Sequence, residues 1–319
     1  HSFCSTGYDI LDNTSLILPP PEDTPIYRSV DVDLDERGRL HRRFITFIPK
    51  IAAVYDLDSG IGNIYATVGK GYKAGGFNTQ MFSDVLQQRL MTLMGIGSRY
   101  DVDEIVGYRP EKCWSTEIGT HLYFASHHLS VDASLFYIDI TDQQLTRFPE
   151  GSITGRIMTN AGKTRSLGGE LSIAWNPVEP LSFNLAYGFT DARFVTYNDG
   201  VSDFAGKHLP YAPGNTLWTQ CVYTLRSPLL RDLALIFDAN VRGAGKIYWN
   251  EANTRSQHFY LLPGASVTLA ARNWSVRIWG SNLSNTRYST FYFLSMGNEF
   301  LQRGNSLSAG ITLRLSLAG

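Results

Sequence analysis

From Leu181 to Phe189 apolar and polar residues alternate one for one. Leu181, Phe183, Leu185, Tyr187 and Phe189 fall on one side, with Ser182, Asn184, Ala186 and Gly188 between them. A period of two belongs to a strand with one apolar and one polar face. The rhythm returns at Leu233, Leu235, Phe237, Ala239 and Val241, interleaved with Asp238, Asn240 and Arg242. It returns again at Leu307, Ala309, Ile311, Leu313, Leu315 and Leu317, interleaved with Gly310, Thr312 and Arg314. Reading the whole chain this way predicts strands near 42–56, 61–74, 111–125, 128–146, 156–176, 180–194, 214–226, 231–245, 259–271, 273–290 and 306–317. The apolar rows are close to the roughly 9–11 residues that a tilted strand needs to cross a bilayer.

The connections between these strands are as regular as the strands. Short turns at 56–60, 126–127, 176–179, 227–230 and 272–273 alternate with long links at 75–110, 147–155, 195–213, 246–258 and 291–305. A sheet with one tight rim and one looped rim is the signature of an outer-membrane barrel, with short periplasmic turns and longer extracellular loops. The predicted fold class is therefore all-β, a transmembrane antiparallel up-and-down β-barrel with about eleven strands present. Bacterial single-chain barrels have even strand numbers, so eleven predicts part of a larger barrel. Residues 1–41 carry Pro19, Pro20, Pro21, Pro25 and a charged run from Asp31 to Arg39, and read as an extracellular loop or poorly defined strand region. Residues 42–319 form the barrel portion.

Composition fits this picture. The 319 residues include 17 Tyr, 17 Phe and 29 Gly, which suits aromatic girdles and closely packed strands. The 28 basic and 29 acidic side chains nearly cancel, which argues against a nucleic-acid footprint. No apolar run approaches the roughly 18 residues of a transmembrane helix. His1 to Ile10 lacks the basic start and apolar core of a signal peptide, so the sequence reads as beginning after a processing site or inside a longer protein. Cys4, Cys113 and Cys221 have no metal-binding spacing and read as small hydrophobes on strands, with a disulfide between two of them as the alternative.

A series of short segments then carries a family likeness. Phe47-Ile48-Pro49-Lys50, Ile64-Tyr65-Ala66-Thr67 and Gly71-Tyr72-Lys73-Ala74-Gly75-Gly76-Phe77-Asn78 resemble the barrel of TonB-dependent outer-membrane receptors. So do Tyr108-Arg109-Pro110-Glu111-Lys112, Phe136-Tyr137-Ile138-Asp139, Asn160-Ala161-Gly162-Lys163, Leu209-Pro210-Tyr211-Ala212-Pro213 and Asn282-Leu283 with Arg287-Tyr288, in the family's order. The resemblance implies the C-terminal half of a barrel of about 22 strands. It also implies a plug domain, missing here, and a TonB-type energy-coupling complex reached through that plug. Family barrels usually finish on an aromatic residue, whereas this sequence ends Leu315, Ser316, Leu317, Ala318, Gly319.

Candidate site residues follow from face and position. In the long links, Phe77, Asn78, His208, Tyr211, Tyr248, Trp249 and Arg303 are candidates for contact with a ligand. Glu170, Arg242 and Arg314 lie in polar rows and are expected toward the lumen or plug, with the two arginines as candidate partners of the carboxylate. Tyr248-Trp249 and Phe291-Tyr292-Phe293 read alternatively as girdle aromatics. Asn160-Ala161-Gly162-Lys163 lacks the full phosphate-loop pattern and does not predict nucleotide binding. No catalytic constellation, cofactor motif or metal-ligand spacing appears, so no enzyme is predicted. The expected function is the barrel portion of an outer-membrane receptor for energy-coupled uptake of a scarce solute. Its ligand would be a small molecule or chelate: a ferric siderophore-like chelate, a corrinoid or an oligosaccharide. Its surroundings would be outer-membrane lipid. The alternative is a passive porin, or a structural half-barrel that pairs with a separate chain. A porin calls for clustered opposite charges in a constriction loop, whereas the 75–110 link mixes Arg89, Arg99, Asp101, Asp103 and Glu104 with apolar residues.

Overall fold

The computed structural model describes residues 2–5, 15–16, 28–29, 36–78, 106–147, 157–198, 202–226, 233–295 and 298–316. The charges read in the 75–110 link, the 227–230 turn and Leu317 lie outside the described residues. The chain divides into two units, one comprising 1–47, 73–111 and 144–160, the other 48–72, 112–143 and 161–319.

The dominant feature, chiefly in the second unit, is an 11-stranded sheet. Its strands are β1 (Lys50–Leu57), β2 (Gly62–Lys73), β3 (Glu111–Phe124), β4 (Leu129–Arg147), β5 (Ile157–Val178) and β6 (Leu181–Thr196). It continues with β7 (Asn215–Arg226), β8 (Ala234–Gly245), β9 (Tyr260–Ala270), β10 (Trp274–Ser281) and β11 (Ser308–Leu315). Each strand lies beside its neighbours in sequence, and β1 and β11 are the two edges. The pairings of β1 with β2, of β3 with β4 and of successive strands from β5 to β11 are antiparallel, which is the up-and-down order. The short connections are tight: one-turn 3-10 segments at Asp58–Gly60 and Ala125–His127, and a two-residue turn at Glu179-Pro180.

Register turns the sequence rhythm into two faces. Leu185 opposes Ile173 and Thr219, Phe183 opposes Trp175 and Cys221, and Tyr223 opposes Phe237. The row continues as Val267 against Ile278 and Ile278 against Ile311. The other face collects Asn184 with Gln220, Gln220 with Asn240, and Arg277 with Thr312. Large apolar side chains stand open on the first face, Ile311 at 74% exposure. In water such a surface would aggregate; against hydrocarbon it is the stable arrangement. Cys113 and Cys221 are free thiols on β3 and β7.

Two strand ends differ from the sequence reading. The sequence rhythm predicts a first strand from 42, whereas the strand starts at Lys50. Lys50 opposes Gly69, and β2 ends at Lys73, so residues before 46 have no ladder partner. The rhythm also predicts that the tenth strand reaches 290, whereas it stops at Ser281. The next residue, Asn282, has left-handed backbone (φ 51) and is buried. Its Nδ2 donates to the Thr286 and Asn305 carbonyls, both at 3.0 Å, and its Oδ1 accepts from the Thr286 amide at 2.8 Å. A side chain that takes over backbone hydrogen bonds turns the chain instead of extending it.

In the first unit, Ser2–Ser5 pairs with Glu36–Arg39 and Ser15–Leu16 pairs with Arg28–Ser29. A third short ladder joins Gly76–Phe77 to Gly107–Tyr108.

Candidate functional site

At the long-link end of β6 the outward row changes character. It is apolar through Phe189, then carries Asp191 and Arg193, while Ala192 and Phe194 on the other side are buried. Residues 206–209 add themselves to this end of the strand: the Phe194 amide donates to the Lys207 carbonyl at 2.9 Å, and the Leu209 amide donates to the Ala192 carbonyl at 3.0 Å. Gly206 supplies the positive φ (+79) that this return needs. His208 is thereby set opposite Arg193.

The His208 ring stacks on Tyr248 with centroids 4.8 Å apart and planes 10° apart. Its Nδ1 lies 3.4 Å from Asp191 Oδ1, but that carboxylate is already engaged by Arg193 Nε at 2.8 and 3.0 Å. Lys246 Nζ sits 4.7 Å from the Tyr248 ring centroid. Burial, then the Arg193 charge, push the His208 pKa below its ordinary 6.5; Lys246 adds to this and Asp191 only partly opposes it. Asn253 locks the backbone at this point. Its Oδ1 accepts from the His208 amide at 2.7 Å, and its Nδ2 donates to the His208 carbonyl at 2.9 Å. Asn253 is itself left-handed (φ 58), a conformation in which asparagine is several-fold enriched.

Three residues on, Tyr211 ties three links together. Its amide donates to the Tyr248 carbonyl at 2.8 Å, and its hydroxyl donates to the Tyr292 carbonyl. Its ring meets Trp249 edge-on (5.5 Å, 66°) and stacks on Phe291 (5.6 Å, 23°). Tyr211 holds φ 62, which costs a non-glycine residue about 1–3 kcal/mol, so these contacts over-determine it. Tyr211 is 43% exposed, whereas Trp249 is 7% exposed and packs with Ile247 and Tyr292. Trp249 thus supports the surface, and Tyr211 presents it.

The surface continues onto the hairpin Ser289–Ser295 with Asn298–Arg303. Phe291 and Phe293 lie 5.8 Å apart, and Phe293 stacks on Phe300 at 4.8 Å. Arg255 Nε donates to Glu299 Oε1 at 2.7 Å, pinning this hairpin to the 246–259 link. Arg303 is exposed and opposes Ser289. The structure therefore brings His208, Tyr211, Tyr248 and Trp249 into one cluster. Sequence reasoning missed Asp191, Arg193, Asn253 and the Arg255–Glu299 pair. Asn253, in the stretch Glu251-Ala252-Asn253-Thr254, was the only one with a turn-like local signal.

Phe77 and Asn78 belong to the other unit. Asn78 works there as a splint: its Nδ2 donates to the Met158 carbonyl and its Oδ1 accepts from the Met158 amide, both at 2.7 Å. The Arg42 guanidinium carbon lies 5.8 Å from the Phe77 ring centroid. Asn160 clamps Arg109 in the same two-handed way, its Oδ1 2.7 Å from the amide and its Nδ2 3.0 Å from the carbonyl.

A family model described as TonB dependent receptor-like, beta-barrel matches residues 28–283. The chain belongs to the TonB-dependent receptor family. The pesticin receptor of Yersinia pestis is 23% identical over 257 residues, covering 79% of this chain and 33% of that protein. The solved ferric yersiniabactin uptake receptor of Yersinia pestis matches with TM-score 0.65 and 20% identity, over 91% of this chain and 39% of that one. The ferric preacinetobactin receptor of Acinetobacter baumannii matches with TM-score 0.60 and 15% identity, over 83% and 36%. The chain spans about a third of the length of the curated relatives it matches.

In this receptor barrel portion the polar face carries short side-chain hydrogen bonds. Tyr65 donates to Glu117 at 2.6 Å, Gln220 and Asn240 both donate to Asp238, and Trp279 donates to Thr312 at 3.1 Å. Glu170 opposes Gly188, Arg242 opposes Trp218 and Leu262, and Arg314 opposes Ser275. Among the described residues the three charges form no ion pair with one another. β5 and β8 are three strands apart in the sheet, about 14 Å at the usual spacing, and β11 is farther still. Pairing of Glu170 with either arginine is therefore not what the wall provides.

Proposed function

We propose that this chain is the barrel portion of an outer-membrane receptor that takes up a scarce solute, with a ferric siderophore-like chelate as the favoured ligand class. The observation that carries the reading is the aromatic surface of Tyr211, Phe291, Phe293 and Phe300, built from two separate long links and braced from a third by Tyr248 and Trp249. Binding sites need rigid groups, because ordering loose loops on contact would consume affinity. Corrinoids and oligosaccharides, which also stack on aromatic rings, are the other members of the solute class. The polar-face charges Glu170, Arg242 and Arg314, which form no ion pair with one another among the described residues, suit contact with a plug domain, which in turn would reach a TonB-type energy-coupling complex.

The test uses the full-length protein, plug included, with ferric catecholate, hydroxamate and phenolate chelates, a corrinoid and an oligosaccharide as probes. One class should bind saturably, and Tyr211→Ala should weaken it tenfold or more, about 1.4 kcal/mol. Absence of saturable binding, together with unselective solute flux through reconstituted liposomes, would overturn the receptor reading in favour of a porin. The two open edges, β1 and β11, favour a second question: whether the rest of the wall comes from the same chain or a separate one. Intact mass of the native protein decides it.

A further inference from the structure

His208 sits where a proton would add a further charge to three cations. Arg193 faces it across an isolated bridge, and Arg165 faces Arg193 from the other side, so one row reads Arg165, Arg193, His208. Like charges directly opposite one another destabilise a ladder. The titratable groups that face the imidazole are Asp191 and Arg193 from β6, with Lys246 and Tyr248 from the 246–259 link. Asp191 is the one carboxylate of that set, and both its oxygens accept from Arg193 Nε. An imidazolium would gain a cation–π contact with Tyr248, but the Lys246 ammonium already stands over that ring. Neutral imidazole is therefore the form that this position holds, and burial and the Arg193 charge together keep the His208 pKa below 6.5.

A short, stiff path ties this ring to the aromatic surface. His208 and Tyr211 both end on Tyr248, the first by stacking on its ring and the second by donating its amide to the Tyr248 carbonyl at 2.8 Å. Pro210 lies between them, and its fixed φ leaves the segment little slack. Tyr211 keeps its left-handed backbone, φ 62, only while its contacts hold it there. Those contacts include the stack on Phe291, at 5.6 Å, which is where the 197–214 link meets the 289–303 hairpin.

We propose that His208 is a proton-operated latch on the aromatic surface: neutral, it keeps Tyr211 against Phe291, and protonated, it releases Tyr211 and weakens the hold on solute. Protonation sets the imidazolium against Arg193 and Lys246, the ring leaves Tyr248, and the loosened segment lets Tyr211 relax to an unstrained backbone. Solute held at neutral pH is then released in acid. This rests on the reading that the aromatic surface binds the solute.

The experiment uses the full-length receptor in phosphatidylcholine nanodiscs, at pH 7.5 and pH 5. Amide exchange at Tyr211, corrected for intrinsic rate, is read first, without solute. It should be about threefold or more faster at pH 5 in wild type and equal at the two pH values in His208→Phe. The ferric catecholate, hydroxamate and phenolate chelates, the corrinoid and the oligosaccharide are then titrated at both pH values. The class that binds should bind wild type about threefold or more weakly at pH 5, beyond any pH response of the probe itself, which His208→Phe reports. Arg193→Gln, which frees Asp191 to accept from the imidazolium, should shrink or reverse the wild-type difference. Absence of saturable binding at pH 7.5 would defeat the receptor reading, and Tyr211 exchange would still decide whether the latch exists. Equal Tyr211 exchange at the two pH values in wild type, or a pH response of binding as large in His208→Phe as in wild type, would overturn the proposal.

Discussion

Asn253 is a side chain whose removal isolates one clamp. Its two bonds to the His208 backbone hold the 197–214 link against the 246–259 link. Asn253→Ala removes both bonds and places a Cβ residue without a polar side chain at φ 58. Local opening should become easier by about 1–3 kcal/mol. Limited proteolysis of the 202–214 segment should accelerate, with the melting of the barrel unchanged. Asn253→Gly should recover only the backbone part. His208 adds a pH dependence to the same clamp. Its folded pKa lies below 6.5, so the closed link binds fewer protons than the open link. The contribution of this shift to closure is full above about 6.5 and declines as pH falls through the folded value. Amide exchange at Leu209, corrected for intrinsic rate, should be faster at pH 5 than at pH 7.5. His208→Phe keeps a ring against Tyr248 and should flatten that difference; an equal slope in the variant would rule out His208 as the source.

At the scale of the strand, facing decides cost. Leu185 and Asn184 are adjacent on β6 but point to opposite faces, Leu185 beside Ile173 and Asn184 beside Gln220. Leu185→Arg puts a cation against hydrocarbon, at about 2–4 kcal/mol near mid-bilayer, whereas Asn184→Arg enters the polar face and should be milder. Reversible unfolding from bilayers compares them, and equal penalties would contradict the two-faced sheet. This is also where the sequence was most legible. Leu181 to Phe189 announce their face by alternation alone, and the same signal located every strand of the 11-stranded sheet. It misplaced the end of β10, because Ser281 and Asn282 continue a plausible rhythm and only the hydrogen bonds of the Asn282 side chain turn the chain. The rim was less legible still. Tyr211 and Trp249 could be nominated as aromatics in long links, but no local pattern couples His208 to a residue 45 positions away, or Arg255 to one 44 away. Nor does alternation say that Trp249 is packed under while Tyr211 stands open.

For the whole molecule, the edges of the sheet carry the largest unbalanced free energy. Among the described residues β1 and β11, of eight residues each, pair on one side only. In an antiparallel edge strand about half the residues turn both backbone groups away from the sheet. In hydrocarbon each unpaired group costs several kcal/mol, so the two edges together amount to some tens of kcal/mol, well beyond the stability of a typical domain. Leu185-type apolar contacts cannot offset that, since lipid tails are as apolar as leucine. The sheet therefore cannot sit open in a bilayer, and further strands must pair with Lys50–Leu57 and Ser308–Leu315 in the working protein. Hydrogen exchange reads this directly. In the full-length receptor in bilayers, the outward amides of β1 and β11 should exchange as slowly as those of β7, which is paired on both sides. Residues 1–319 refolded alone should either remain outside the bilayer or self-associate through these edges. Fast exchange at both edges in the full-length receptor would mean that its own chain does not supply the missing strands, and a separate partner chain that closes the half-barrel would become the working description.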